Sequence, residues 1–152
     1  MRDGWRTGAN GRRMELLLVE DNPGDVLFTK EALEDTSVPV NLSVAVDGEQ
    51  ALAFLHRRGN YREAPRPDLV LLDLNLPKVS GMDVLAEMKS DVCLRRIPVV
   101  IFTTSTAEED IARTYDLHAN SYITKPLEFS GYAVALQAIE RFWLTTATLP
   151  SA

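Results

Sequence analysis

Three acids and a lysine stand at the ends of hydrophobic runs: Glu20 and Asp21 after Met14 to Val19, Asp73 after Leu69 to Leu72, and Lys125 after Ser121 to Ile123. A fourth run, Pro98 to Phe102, ends on the hydroxyls of Thr103, Thr104 and Ser105. Carboxylates held close together cannot all stay ionised without a counter-charge. An oxygen-only set with room for water suits Mg2+, which usually takes one or two carboxylates and fills its shell with water and phosphate oxygens. Asp21 and Asp73 are the expected direct ligands, with Glu20 acting through water and the backbone carbonyl of Asn75 supplying a further oxygen. Lys125 is a compact charge able to bind phosphate, and Thr103 can donate a hydroxyl to the same anion. Tyr122, with one apolar face and one polar tip, is expected beside Thr103. Taken singly, each residue has a plainer reading: Asp73 as a turn former, Lys125 as a surface lysine before a helix, Thr103 as a β-branched strand residue and Tyr122 as core or rim. Their joint placement is what points to chemistry.

From Met14 onward strand and helix alternate about five times, which predicts a doubly wound α/β fold with a parallel sheet covered on both faces. In such a sheet, groups at the carboxyl ends of the strands converge on one crevice. Asn22-Pro23 reads as a helix cap followed by proline at the first helical position, opening an amphipathic helix that ends near Thr36. Val40 to Val46 alternates as a strand. Asp47-Gly48-Glu49 opens a second helix with an apolar stripe of Ala51, Leu52, Phe54 and Leu55. Residues 59–67 read as a surface loop. A third helix carries Met82, Val84, Leu85 and Met88, a fourth runs from about Ala107 to Leu117, and the last begins just after Pro126.

The chain has 152 residues, enough for one domain with a core. Its net charge of −6 argues against nucleic acid as the main partner. The single cysteine, Cys93, excludes an internal disulfide, fits a reducing compartment and reads as a bystander. No apolar stretch approaches the roughly 18 residues of a spanning helix, so no membrane is expected. Residues 1–13 carry four arginines but no apolar core of a secretory signal, and read as a flexible tail. The expected location is cytoplasmic, with a folded domain over 14–144 and a C-terminal extension over 145–152.

Glu20-Asp21-Asn22-Pro23, Leu71-Leu72-Asp73-Leu74-Asn75-Leu76-Pro77, Gly81, Phe102-Thr103-Thr104-Ser105 and Tyr122-Ile123-Thr124-Lys125-Pro126 together resemble the receiver domain of response regulators in two-component phosphorelay systems. The likeness runs from about Met14 to Trp143. It implies a CheY-like, flavodoxin-like three-layer sandwich with strand order 2-1-3-4-5. It further implies that Asp73 accepts a phosphoryl group from a histidine kinase, with Mg2+ held by Asp21, Asp73 and Asn75. Thr103 and Tyr122 would be the switch pair and Lys125 the phosphoryl-contacting lysine. Such a protein is a phosphoacceptor regulator rather than a turnover enzyme. No output domain follows in this sequence, so the signal is expected to leave by protein contact or by depletion of phosphoryl groups.

Two departures stand out: Glu20 takes the place of the commoner Asp, and Thr104 is bulkier than the small residue often found there, which bears on the lifetime of the phosphoryl group. A haloacid-dehalogenase-like phosphatase would need a second Asp where Asn75 stands. A flavin carrier would want a phosphate-cradling loop where Glu20-Asp21 would repel phosphate, and the glycine fingerprint of a Rossmann dehydrogenase is missing. A pseudo-receiver would show loss of a site residue, and none is lost.

The last helix carries no charge from Phe129 to Ile139. Tyr132, Leu136, Ile139 and Trp143 fit an inward stripe, leaving Phe129, Ala133, Ala138 and Phe142 pointing sideways or out. Large exposed apolar patches mark contacts, so a homodimer through this helix and the adjacent fifth strand is expected. The alternative is that residues 144–152 fold back over the same face. Asn22-Pro23-Gly24-Asp25, Thr103-Thr104-Ser105 and Phe142-Trp143 to Leu149-Pro150 are similar to regulators associated with phytochrome-type sensor kinases, which implies a light-sensing histidine kinase as partner.

Overall fold

A computed structural model describes residues 13–35 and 38–151 of the chain; the expectations for residues 1–12 lie outside the described residues. The elements run β1 (Met14–Val19), α1 (Pro23–Glu34), β2 (Val40–Ala45), α2 (Gly48–His56), β3 (Leu69–Leu72), α3 (Gly81–Ser90), β4 (Val99–Thr103), α4 (Glu108–Asp116), β5 (Ser121–Thr124) and α5 (Phe129–Ile139). All strand pairs are parallel and the sheet order is β2-β1-β3-β4-β5. The fold is the doubly wound α/β sandwich, with the strand order expected from the sequence.

Successive strand side chains point to opposite faces, and here both faces are covered. Leu17, Val19, Val70, Leu72, Val99 and Ile101 pack with Phe54, Leu55, Val84, Leu85 and Met88 on the α2–α3 side. Leu16, Leu18, Leu69, Leu71, Val100 and Phe102 pack with Ala32, Tyr132 and Leu136 on the α1–α5 side. That is why β3 reads as an unbroken apolar run: all four of its residues are buried. Each fully buried leucine or valine contributes about 1.5–3 kcal/mol.

Local signals set the helix starts. The Asn22 side chain accepts from the amides of Gly24 and Asp25, Asp47 from Gln50, and Ser80 from Asp83. Several boundaries differ from the sequence reading. The first helix stops at Glu34, two residues short of Thr36, which itself lies outside the described residues. Gly59–Tyr61, expected as loop, makes a single 3-10 turn.

The larger difference is at the C-terminus, where α5 continues as a π-helical turn over Glu140–Thr146. A regular helix carries the stripe of Tyr132, Leu136 and Ile139 on to Trp143, four residues later. The wider i→i+5 spacing instead buries Leu144, leaving Trp143 half-buried. Among the described residues no helix is long and apolar enough to cross a membrane.

Candidate functional site

The parallel arrangement brings the carboxyl ends of β1, β3, β4 and β5 to one edge of the sheet. Asp73 follows β3 directly, and its amide donates to Val19 O at 3.1 Å, so the two acidic strand ends are tied together by backbone. Gly81 supports the loop that follows. A Cβ there would stand 2.0 Å from Asp73 O, and the Gly81 amide donates to Leu74 O at 3.0 Å. Only a residue without a side chain permits that approach.

Carboxylate oxygens of Glu20, Asp21 and Asp73 lie within 4.8 Å of one another, the three acids expected to share a cation. Glu20 is almost wholly buried and Asp21 is exposed. The oxygen-only donor set fits a hard divalent ion that keeps part of its water shell. Asn75 is exposed in the loop after β3, and its amide donates to Asp73 Oδ1 at 3.3 Å.

Lys125 is buried at the end of β5, but it is not free to await an anion. Its ammonium donates to Glu20 Oε1, to Asp25 Oδ2 at 2.9 Å and to Asp73 Oδ2 at 2.9 Å. Glu20, expected to face a metal through water, therefore has Lys125 as a direct partner, and also accepts from the Asn22 amide at 3.2 Å. Burial pushes the Glu20 carboxyl up to about 7; the Asp73 charge adds to the rise, while the Lys125 ammonium opposes it. Burial works against charge on Lys125 as well, yet its hydrogen bonds to Glu20, Asp25 and Asp73 outweigh this and hold its pKa above the ordinary lysine value. One ammonium thus faces a larger number of carboxylates, and the excess favours a further cation.

Thr103 is fully buried at the end of β4, with its Oγ1 3.5 Å from the donating amide of Ser105. Tyr122 pairs in register with Ile101, so it lies on the Thr103 face one pleat earlier. Its hydroxyl donates to Ser105 O at 2.9 Å. Burial raises the Tyr122 phenol above its ordinary value, opposed by the hydrogen bond to Ser105 and reinforced by the charges of Asp110 and Asp73. Ser105 Oγ in turn donates to Asp110 Oδ2 at 2.7 Å, latching the loop to the first turn of α4. Thr104 is exposed.

Asp25 is the site residue that sequence reasoning passed over. An acid in the first turn of a helix is ordinary, because it favours the dipole. The available signal was its position four residues after Asp21 on a capped helix, which returns it to the same end of the sheet. Cys93 is exposed, well apart from these side chains in the α3–β4 connection.

The family model of the response regulator receiver domain matches residues 16–137. The chain is 47% identical over 137 residues to the response regulator Rcp1 of Synechocystis sp., an alignment covering 90% of this chain and 93% of that protein. The structure of a phosphorylated cyanobacterial phytochrome response regulator, RcpA, superposes with a TM-score of 0.89 at 51% identity, covering 91% of this chain and 99% of that one. The Mn2+-bound form of Rcp1 gives a TM-score of 0.88 at 46% identity, covering 91% of this chain and 99% of that chain.

Proposed function

The chain belongs to the response regulator receiver domain family, and we propose on that footing that Asp73 is its phosphoacceptor, charged by a sensor histidine kinase of the phytochrome type. The observation that supports this most is the Lys125 ammonium, buried between strand ends and bonded to Asp73 Oδ2. Phosphoryl transfer asks a protein mainly for in-line positioning and for positive charge at the equatorial oxygens. An Asp73 oxygen bonds to phosphorus as the P–N bond of the donor phosphohistidine breaks. The bonding pair leaves with the imidazole nitrogen, which takes up a proton. Lys125 then turns its N–H from Asp73 Oδ2 toward a phosphoryl oxygen, and the Thr103 hydroxyl donates to another. Mg2+, held by Asp21, Asp73 and the Asn75 carbonyl with Glu20 reaching it through water, would supply the remaining positive charge.

The acyl phosphate adds roughly two negative charges to the site. In our reading Thr103 moves toward them and Tyr122 gives up the Ser105 carbonyl to fill the space behind it. The loop between β4 and α4 is then re-latched, and a two-state surface near α4 and β5 changes population.

The same reading includes a homodimer through α5. Phe129, Val134 and Phe142 are 38%, 64% and 52% exposed. A groove of about 280 Å³ runs between β5 and the last helical turns, lined by Ile123, Ala138, Ile139, Phe142 and Trp143. Leu149 does fold back onto the α1–α5 core, but it leaves Val134 and Phe142 uncovered. RcpA and Rcp1 are response regulators, the former named for a phytochrome, which supports a light-sensing kinase as the donor. The test is uptake of acid-labile phosphate from such a kinase or from acetyl phosphate. Asp73→Asn should abolish it, and undiminished uptake in that variant would refute the reading.

A further inference from the structure

We propose that Asp25 is a positioning residue of the phosphoacceptor site, holding the Lys125 ammonium so that one of its N–H bonds is aimed at Asp73 and at the phosphoryl group placed there. The inference rests on the reading of Asp73 as phosphoacceptor. A lysine ammonium has exactly as many N–H donors as it has partners here, three: Glu20, Asp25 and Asp73. Left to itself, such a group turns easily about its last carbon–nitrogen bond. Two acceptors fixed on one side, Glu20 from the end of β1 and Asp25 from the start of α1, determine where the third donor points.

Asp25 is well placed for this because its own backbone is pinned from both sides. Its amide donates to the Asn22 cap at 3.1 Å. Its carbonyl accepts the Thr29 hydroxyl at 2.9 Å and the Tyr132 hydroxyl at 3.2 Å. Tyr132 is itself fixed in the core, edge-on to Phe28 and to Phe102, the residue before Thr103. The anchor for Lys125 is thereby referenced to α5 and to β4, the elements next to the site.

Asp25 also differs from the other two acceptors in an instructive way. The acids whose oxygens converge tightly enough to share a cation are Glu20, Asp21 and Asp73, and Asp25 is not among them. Glu20 and Asp73 would divide their charge between such a cation and the lysine, whereas Asp25 faces the lysine. When Asp73 carries the phosphoryl group as an acyl phosphate, Asp25 and Glu20 remain as the carboxylates that hold Lys125.

The experiment compares wild type with Asp25→Asn, Asp25→Gln and Asp25→Ala. It measures the rate of phosphoryl uptake from acetyl phosphate at saturating Mg2+, Mg2+ affinity by calorimetry without a donor, and thermal unfolding. Asn keeps an acceptor oxygen in place, Gln moves it by one methylene and Ala removes it. Displacement of a reacting group by an ångström costs up to about a hundredfold in rate. We expect Asp25→Ala and Asp25→Gln to slow uptake about ten- to a hundredfold, with Asp25→Asn within about threefold of wild type. Mg2+ affinity should stay within about threefold and unfolding midpoints should stay close to wild type. If Asp25→Ala does not fold, the Gln variant decides. A labelled wild type with Gln and Ala variants equally fast, or an Asn variant as slow as Ala, overturns the positioning role while phosphoacceptance stands. Slowing that follows lost Mg2+ affinity or unfolding overturns it as well. A wild type that takes up no phosphate overturns the underlying reading and this inference together.

Discussion

Lys125 Nζ lies 2.9 Å from Asp73 Oδ2, a contact that joins the end of β5 to the end of β3 across the intervening β4. The lysine is the only cation placed against Glu20, Asp25 and Asp73 among the described residues. The ion pairs of the buried strand ends therefore meet at one side chain, the one to which we assign contact with the phosphoryl group.

Removing that side chain should expose the imbalance. Breaking a buried ion pair by deleting one partner costs about 3 kcal/mol or more, because the other charge stays buried. Lys125→Ala should lower the metal-free unfolding free energy by about 3 kcal/mol in urea titrations. Added Mg2+ should restore part of the loss, since a ligand that binds only the folded state stabilises it. Equal stability of mutant and wild type without metal would contradict the ion-pair geometry.

Gly81→Ala should damage the site from behind. The added methyl would stand 2.0 Å from Asp73 O and 2.7 Å from Leu74 Cα, both backbone atoms with little freedom to yield. A loss of at least about 2 kcal/mol is expected, with slowed phosphoryl uptake in whatever fraction folds. An unperturbed variant by both measures would show that the loop does not depend on the close approach.

Tyr132 gives a pH signature. Burial pushes its phenol up to about 12, with the Thr29 hydrogen bond opposing. The folded state thus holds the phenolic proton more tightly than the unfolded chain, whose phenol titrates near 10.0. The resulting stabilisation is complete below pH 10 and is lost as pH rises through 12. Denaturant titrations from pH 8 upward should show a decline, and Tyr132→Phe should make it shallower, leaving the share of Tyr122 and Lys125, whose folded-state values are raised as well. The substitution should also cost about 1 kcal/mol at neutral pH, for the lost hydrogen bonds to Thr29 and Asp25.

The exposed face of α5 should prove adhesive. Val134→Asp with Phe142→Asp places two charges on the uncovered surface while leaving the buried Tyr132, Leu136 and Ile139 alone. Sedimentation at micromolar concentration should show a wild-type dimer and a monomeric double variant of similar thermal stability. A monomeric wild type would remove the dimer.

β1, β3 and β4 were legible because they are buried on both faces and so appear as short apolar runs, each ending on a polar residue, whereas the half-exposed β2 showed as alternation. That same punctuation marked Glu20, Asp21, Asp73, Thr103 and Lys125. What stayed hidden depends on contacts between elements far apart in the chain. Asp25 looks like an ordinary first-turn acid until β5 delivers Lys125 to it. The Tyr122 hydroxyl finds Ser105 only once β4 and β5 are paired in register. Leu144 rather than Trp143 fills the core because the backbone widens after Ile139, and a fixed helical period cannot show that.

The most direct test of the central claim is to locate the phosphoryl group itself. The protein is charged with acetyl phosphate and Mg2+, reduced with borohydride, which converts an aspartyl phosphate to homoserine, and sequenced by mass spectrometry. Homoserine is expected at position 73 and at no other carboxylate, Asp21 and Asp25 included. Homoserine at another acid, or intact aspartate at 73 in a protein that has taken up phosphate, would contradict it.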